Sequence, residues 1–203
     1  MKSKLVGKER QKVMLIVILA YILPVLLIYL NLIPFQARFY LLVLAAVAIF
    51  AIARLYRFSL VELGFTKQRL GTALKAIALP TLASALLMFT YYMMQGPRID
   101  NSAYKWIFYL FFVGVSSPVQ EFLYRGFLFS IFSRVKLKIW FKIILSAILY
   151  SSVHLIYRDL PTLISTFIIG IFWGYHYVKY RNLYSVIISH SLLGAIAIFF
   201  GLV

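Results

Sequence analysis

Glu121 and Arg125 stand four residues apart within an apolar run, the acid N-terminal to the base. On a helix that spacing puts them on one face, in the favoured order for an ion pair. His154 lies four residues after Tyr150, and His190 lies between Ser189 and Ser191, each in an apolar run of its own. One carboxylate and two imidazoles have a defined chemical use. A carboxylate and an imidazole can share a water, withdraw its proton and aim it at a carbonyl. A second imidazole can donate to the oxyanion that forms. The other chemistry is a metal, because His, His and Glu ligate many hydrolytic zinc sites. No HExxH is present. The cofactor therefore stays open: none for a carboxylate-activated water, or zinc held by Glu121, His154 and His190. The plain readings are a mutual ion pair for Glu121 and Arg125, and a hydrogen bond between helices for each histidine.

The surroundings give these residues their weight. The chain has 203 residues, of which 64% are hydrophobic and 13% charged. Soluble domains run near 45–50% and about 25%. A soluble globule of this length could not hide so much apolar surface, and a disordered chain needs the opposite composition. The expected class is all-α: a polytopic membrane helical bundle of about seven transmembrane helices, within limits of six and eight. An ionisable side chain in such a helix costs at least ~2.5–3.5 kcal/mol on insertion scales. Leucine would be cheaper at both 121 and 125, so their retention points to a function. The absence of cysteine excludes disulfides, thiolate nucleophiles and thiolate metal sites.

The helices that must position these groups follow from apolar runs of about 20 residues, enough to cross a core of roughly 30 Å. Spans are expected at 13–32, 38–53, 72–94, 104–132, 140–156, 160–178 and 183–202. With the N-terminus inside, 16 of the 21 Lys and Arg residues fall on the inner side, starting with Lys2, Lys4, Lys8, Arg10 and Lys12. Only Arg38, Arg98, Lys105 and Arg158 fall outside, and Arg125 lies within a span. The asymmetry predicts a multi-pass protein of the cell membrane with a cytoplasmic N-terminus. It also accounts for the net charge of +16 without nucleic acid. The first apolar run is too long for a cleaved signal and reads as a retained anchor. Residues 55–70 read either as an amphipathic surface helix or as an ordinary loop. His176, between Tyr175 and Tyr177 near the inner edge, reads as an interfacial residue. Counted along their helices, Glu121, His154 and His190 lie roughly 16, 18 and 10 Å from the inner face at 1.5 Å per residue, close enough to meet near mid-membrane. The whole chain, 1–203, reads as one membrane domain.

In order, these segments resemble the CPBP family of membrane proteases, also called the CAAX protease, bacteriocin-processing or Abi family. The family's first motif is Glu-Glu-x-x-x-Arg; here the stretch is Ser117, Pro118, Val119, Gln120, Glu121, Phe122, Leu123, Tyr124, Arg125, Gly126. The second is Phe-x-x-x-His, here Tyr150 to His154. The third is His-x-x-x-Asn or Asp, here His190 to Gly194. A glycine-bearing helix, with Gly170 and Gly174, lies between the last two. The resemblance covers residues 114–194. It implies an intramembrane peptidase in which Glu121 and His154 prepare the water, His190 stabilises the oxyanion and Arg125 orients the acid. Gln120, Tyr150, Ser191 and Gly194 would line the site. Three positions depart from the pattern. Gln120 cannot take a proton, Gly194 has no side chain to donate, and Tyr150 replaces a phenylalanine.

The expected function is an intramembrane endopeptidase acting on a membrane-associated or lipid-linked protein or peptide. By resemblance it is linked to bacteriocin processing or self-immunity. The alternative is a degenerate relative acting as a membrane scaffold or immunity partner. A transporter with a buried proton relay is a third class. It lacks support from any pair of broken helices or inverted repeat.

Overall fold

The computed structural model describes the backbone of residues 2–203 and the side chains of residues 7–203. Lys2 and Lys4, counted above in the basic N-terminal cluster, have side chains outside the described residues. Among the described residues, seven helices follow one another. Helix α1 comprises Lys2–Val17, a π turn at Ile18–Ile22 and Leu23–Tyr29. Helix α2 is Phe35–Leu55 and α3 is Leu70–Gln95. Helix α4 is the continuous run Trp106–Arg134, and α5 is Ile139–Tyr157, ending in a 3₁₀ turn. Helices α6 (Leu160–Tyr180) and α7 (Leu183–Phe199) complete the bundle. No strand occurs among the described residues. A helix satisfies its backbone polar groups internally, as a hydrocarbon surrounding requires.

Among the described residues, five helices, α1 from Gly7 through α5, are long and apolar enough to cross a membrane. Helix α7, at 17 residues, spans only about 26 Å. Helix α6 is longer but carries Thr162, Thr166, Gly170, Gly174 and His176 on its buried side. Both hold their polar residues against protein. The outward faces of α2 and α3 are the reverse: Leu55 is 81% exposed and Leu79 75%. Such continuous apolar surface is untenable in water and ordinary against lipid.

Contacts between loops show that successive helices alternate in direction. At one end, Arg134 donates to the Tyr56 carbonyl, Arg181 to that of Glu62, and Tyr56 to Glu9. At the other, Arg158 donates to the Tyr29 carbonyl, Arg38 to the Tyr104 hydroxyl, and Asn101 to the carbonyls of Ile198 and Val203. The charges assigned to the inner side therefore share one end of the bundle.

Residues 56–69 are a docked loop of turns, not an amphipathic helix. Polar ties made at fixed points prevail over its mixed polarity. Asn182, fully buried, donates to the carbonyls of Thr66 (2.7 Å) and Gln68 (3.1 Å) and caps α7 by accepting from the Ser185 amide. Leu183 donates to the Gly64 carbonyl at 2.9 Å. Gly64 has φ +86°, and a Cβ there would lie 2.6 Å from the Tyr177 ring, so only glycine fits. Helices α5 and α6 pack closely through small residues: a Cβ at Gly170 would lie 3.2 Å from the Ala147 Cα.

Two predictions follow from these ties. Asn182→Ala removes a cap and leaves two carbonyls without their donor, which should cost about 2–3 kcal/mol and lower the unfolding temperature in detergent. The second concerns Asp159, which accepts from Arg98 at 2.6 Å and caps α6 through Thr162. Burial pushes the Asp159 carboxyl up, but the Arg98 and Thr162 bonds outweigh it and hold it below its ordinary value of 3.8. A lowered folded value stabilises fully above the unfolded one and is lost as pH falls through the folded one. Stability should therefore fall below about pH 4, and Asp159→Asn should remove that part of the dependence in unfolding scans across pH.

Candidate active site

The site is built on an irregular stretch of α4. A π turn at Phe112–Ser116 precedes Pro118, whose missing amide interrupts the ordinary ladder. A second π turn, Phe122–Phe127, begins directly after Glu121 and contains Arg125. Wide turns of this kind occur often at functional sites, because they re-aim side chains within a continuous helix.

Glu121 and Arg125 are both fully buried. Arg125 Nη1 donates to Glu121 Oε1 at 3.0 Å, and its Nη2 donates to the Gly170 carbonyl at 3.2 Å. That carbonyl is within reach because Gly170 lets α6 approach α5. His190 Nδ1 lies 2.7 Å from the same Oε1, and Tyr150 Oη lies 3.3 Å from His190 Nε2. The carboxylate accepts from Nδ1–H, which leaves Nε2 to accept from the tyrosine hydroxyl. Glu121 Oε2 and Arg125 Nε are buried without a partner.

A further side chain, Trp173, holds His190 and carries no motif signal of its own. The Trp173 ring stacks on the imidazole, with centroids 4.5 Å apart and planes at 23°. Its indole N–H donates to Ser189 Oγ at 3.0 Å, and Ser189 is bonded to Thr81 of α3 at 2.7 Å. The Arg125 guanidinium lies 4.5 Å from the Tyr150 ring centre and 5.5 Å from that of Trp173. Trp173 lies in the glycine-bearing segment, where an aromatic reads as ordinary packing.

Glu121, Arg125, His190 and Tyr150 are thus brought together. His154 makes no hydrogen bond with Glu121 or His190. It sits in the 3₁₀ turn that ends α5, where Nδ1 bonds to the Tyr150 carbonyl at 3.1 Å. The Tyr150 ring packs edge-on against both imidazoles, 5.3 Å from His154 and 5.5 Å from His190. Gln120 donates to Ser116 Oγ at 3.0 Å, one turn back on its own helix. Ser191 donates to Ser117 Oγ at 3.0 Å, tying α7 to α4. At Gly194 a Cβ would lie 2.4 Å from the Phe112 ring, so Phe112 fills the space a side chain would need. His176 is buried rather than interfacial, with Nε2 3.1 Å from Ser185 Oγ across α6 and α7.

Zinc does not fit this donor set. No group of three or more His, Asp or Glu residues is placed to hold a metal among the described residues. Glu121 and His190 are bonded to one another, and both His190 nitrogens are occupied.

The network predicts a strong asymmetry between single and paired substitutions. Arg125→Met leaves a buried carboxylate uncompensated and should cost about 3–5 kcal/mol. The double variant Arg125→Met/Glu121→Leu should recover much of that loss in thermal unfolding. Equal instability of the two would show that the pair is not the electrostatic unit described.

Residues 100–196 match the family model described as type II CAAX prenyl endopeptidase Rce1-like. No curated protein and no solved structure matched the chain. The matched span holds all three motifs in order, together with every residue of the buried network except Thr81. Over residues 100–196 the chain is similar to the type II CAAX prenyl endopeptidases, in agreement with its resemblance to the CPBP, or CAAX protease, family.

Proposed function

We propose that this chain is an endopeptidase that cleaves a peptide bond in a membrane-associated or lipid-linked protein or peptide. The observation that carries the reading is the Glu121 carboxylate. Its Oε1 is held by Arg125 and His190, while its Oε2 is buried without a partner. An unpartnered carboxylate oxygen in a protein interior calls for a water or a proton. In this reading Oε2 takes the proton of the attacking water and later returns it to the leaving amine. Arg125 fixes the carboxylate, and His190 locks Oε1. His154, beyond the Tyr150 ring, helps to position the water. Gln120 and Ser191 serve as walls of the site. The basic end of the bundle is assigned to the cytoplasm, with the N-terminus, in the cell membrane. Bacteriocin processing or self-immunity is the biological setting that the resemblance suggests.

A second reading, a non-catalytic membrane scaffold or immunity partner, draws on two observations. Gln120 stands where the family has its first acid, and Phe112 fills the space at Gly194. The two readings separate in one experiment. The gene is deleted in its host and restored as wild type or Glu121→Gln at matched membrane abundance, and released peptides are compared by mass spectrometry. Under the peptidase reading, a set of peptides vanishes on deletion, returns with wild type and stays absent with Glu121→Gln. If Glu121→Gln restores all that wild type restores, the scaffold reading replaces it.

A further inference from the structure

We propose that the Tyr150 hydroxyl is the oxyanion donor of this site, in the role that the third-motif asparagine holds in the family pattern and that Gly194 leaves vacant. The inference rests on the peptidase reading above.

Three observations carry it. The donor expected at 194 is absent, because Gly194 has no side chain and the Phe112 ring fills the space beside it. The second donor expected for the oxyanion, His190, has both ring nitrogens engaged: Nδ1 with Glu121 and Nε2 with Tyr150. The family's usual phenylalanine at 150 has no polar atom, whereas here a hydroxyl projects from that position into the buried network. Its ring is held on several sides, by Tyr124 edge-on at 5.5 Å, Trp173 at 5.8 Å and the Arg125 guanidinium at 4.5 Å. A hydroxyl fixed in this way is a preorganised donor, and such donors act with little reorganisation when charge develops. Its present partner, Nε2, lies 3.3 Å away, a long bond that rotation about the phenol C–O bond exchanges for another.

The step balances within the site. The water oxygen bonds to the carbonyl carbon as its proton passes to Glu121 Oε2. The carbonyl π pair moves onto oxygen, and that oxygen accepts the hydrogen bond from Tyr150. Collapse re-forms the carbonyl and breaks the C–N bond, and the proton on Glu121 passes to the amine. The Tyr150 hydroxyl then returns to Nε2.

The test uses the full chain purified in detergent and a synthetic, internally quenched copy of a peptide bond found to be cleaved in the membrane comparison above. Tyr150→Phe removes one oxygen and keeps the ring. Its kcat should fall roughly 100-fold, the effect of losing one oxyanion donor, with KM unchanged. Replacement by 3-fluorotyrosine keeps shape and hydroxyl but makes the phenol a stronger hydrogen-bond donor, and it should raise kcat at neutral pH with KM unchanged. That variant keeps the test valid if Tyr150→Phe folds poorly. Unchanged kcat in Tyr150→Phe, or in the fluorotyrosine variant, overturns the inference while an inactive Glu121→Gln leaves the peptidase reading standing. Full activity in Glu121→Gln overturns that reading, and the inference with it.

Discussion

A carboxylate and a guanidinium, both without solvent contact, stand in the middle of a helix bundle whose outer surface is apolar. Each charge is tolerable only if its neighbours compensate it, because desolvation costs several kcal/mol per ion even after relaxation. Arg125 meets that condition with Glu121 on its own helix and with a backbone carbonyl on α6. Glu121 meets it with Arg125 and with an imidazole on α7. Three helices are thereby held in register by one oxygen atom and the two groups that donate to it.

Much of the remaining architecture can be understood as supplying those partners. Gly170 brings α6 close enough for its carbonyl to reach Arg125, and the same glycine lets α6 lie against Ala147 of α5. Trp173, one turn on, presses its ring against His190 and ties its indole to Ser189, which α3 holds through Thr81. At the basic end, Asn182 fastens the α2–α3 loop to the start of α7 and so sets where His190 stands along its helix. The π turns of α4 let one continuous helix carry both members of the pair while passing Pro118.

The departures from the family pattern are not scattered losses. Glycine at 194 goes with Phe112 filling the space beside it, and tyrosine at 150 brings a hydroxyl to the imidazole that would otherwise face the reaction. Gln120 turns back to Ser116 and leaves the neighbouring carboxylate as the acid of the site. Glu121 keeps the position of the motif's second acid, which is where the peptidase reading finds its base. The departures mark where the scaffold reading would find its support.

Apolar run length gave the number of helices and, except for the start of α1, which begins at Lys2 rather than at 13, their limits to within a few residues, because the transfer of side chains into lipid is set by local composition. The charge pattern gave the grouping of basic residues at one end, and the motifs gave Glu121, Arg125 and His190 as neighbours. Other features depended on which atoms meet. Counting along helices gave Glu121, His154 and His190 similar distances from an expected membrane face but no azimuth, so it carried no sign that the Tyr150 ring packs against both imidazoles. It took Tyr150 as a mild change, because the partner of its hydroxyl lies 40 residues further along the chain. It left residues 55–70 undecided, because a loop held by Asn182 and Leu183 has no periodicity to betray it. Sequence determined the helices and the ionisable groups in them, since insertion energy is local. Tertiary structure alone decided which partners those groups find on other helices, the Gly170 carbonyl for Arg125 and the His190 imidazole for Glu121, since those atoms meet only when the helices pack.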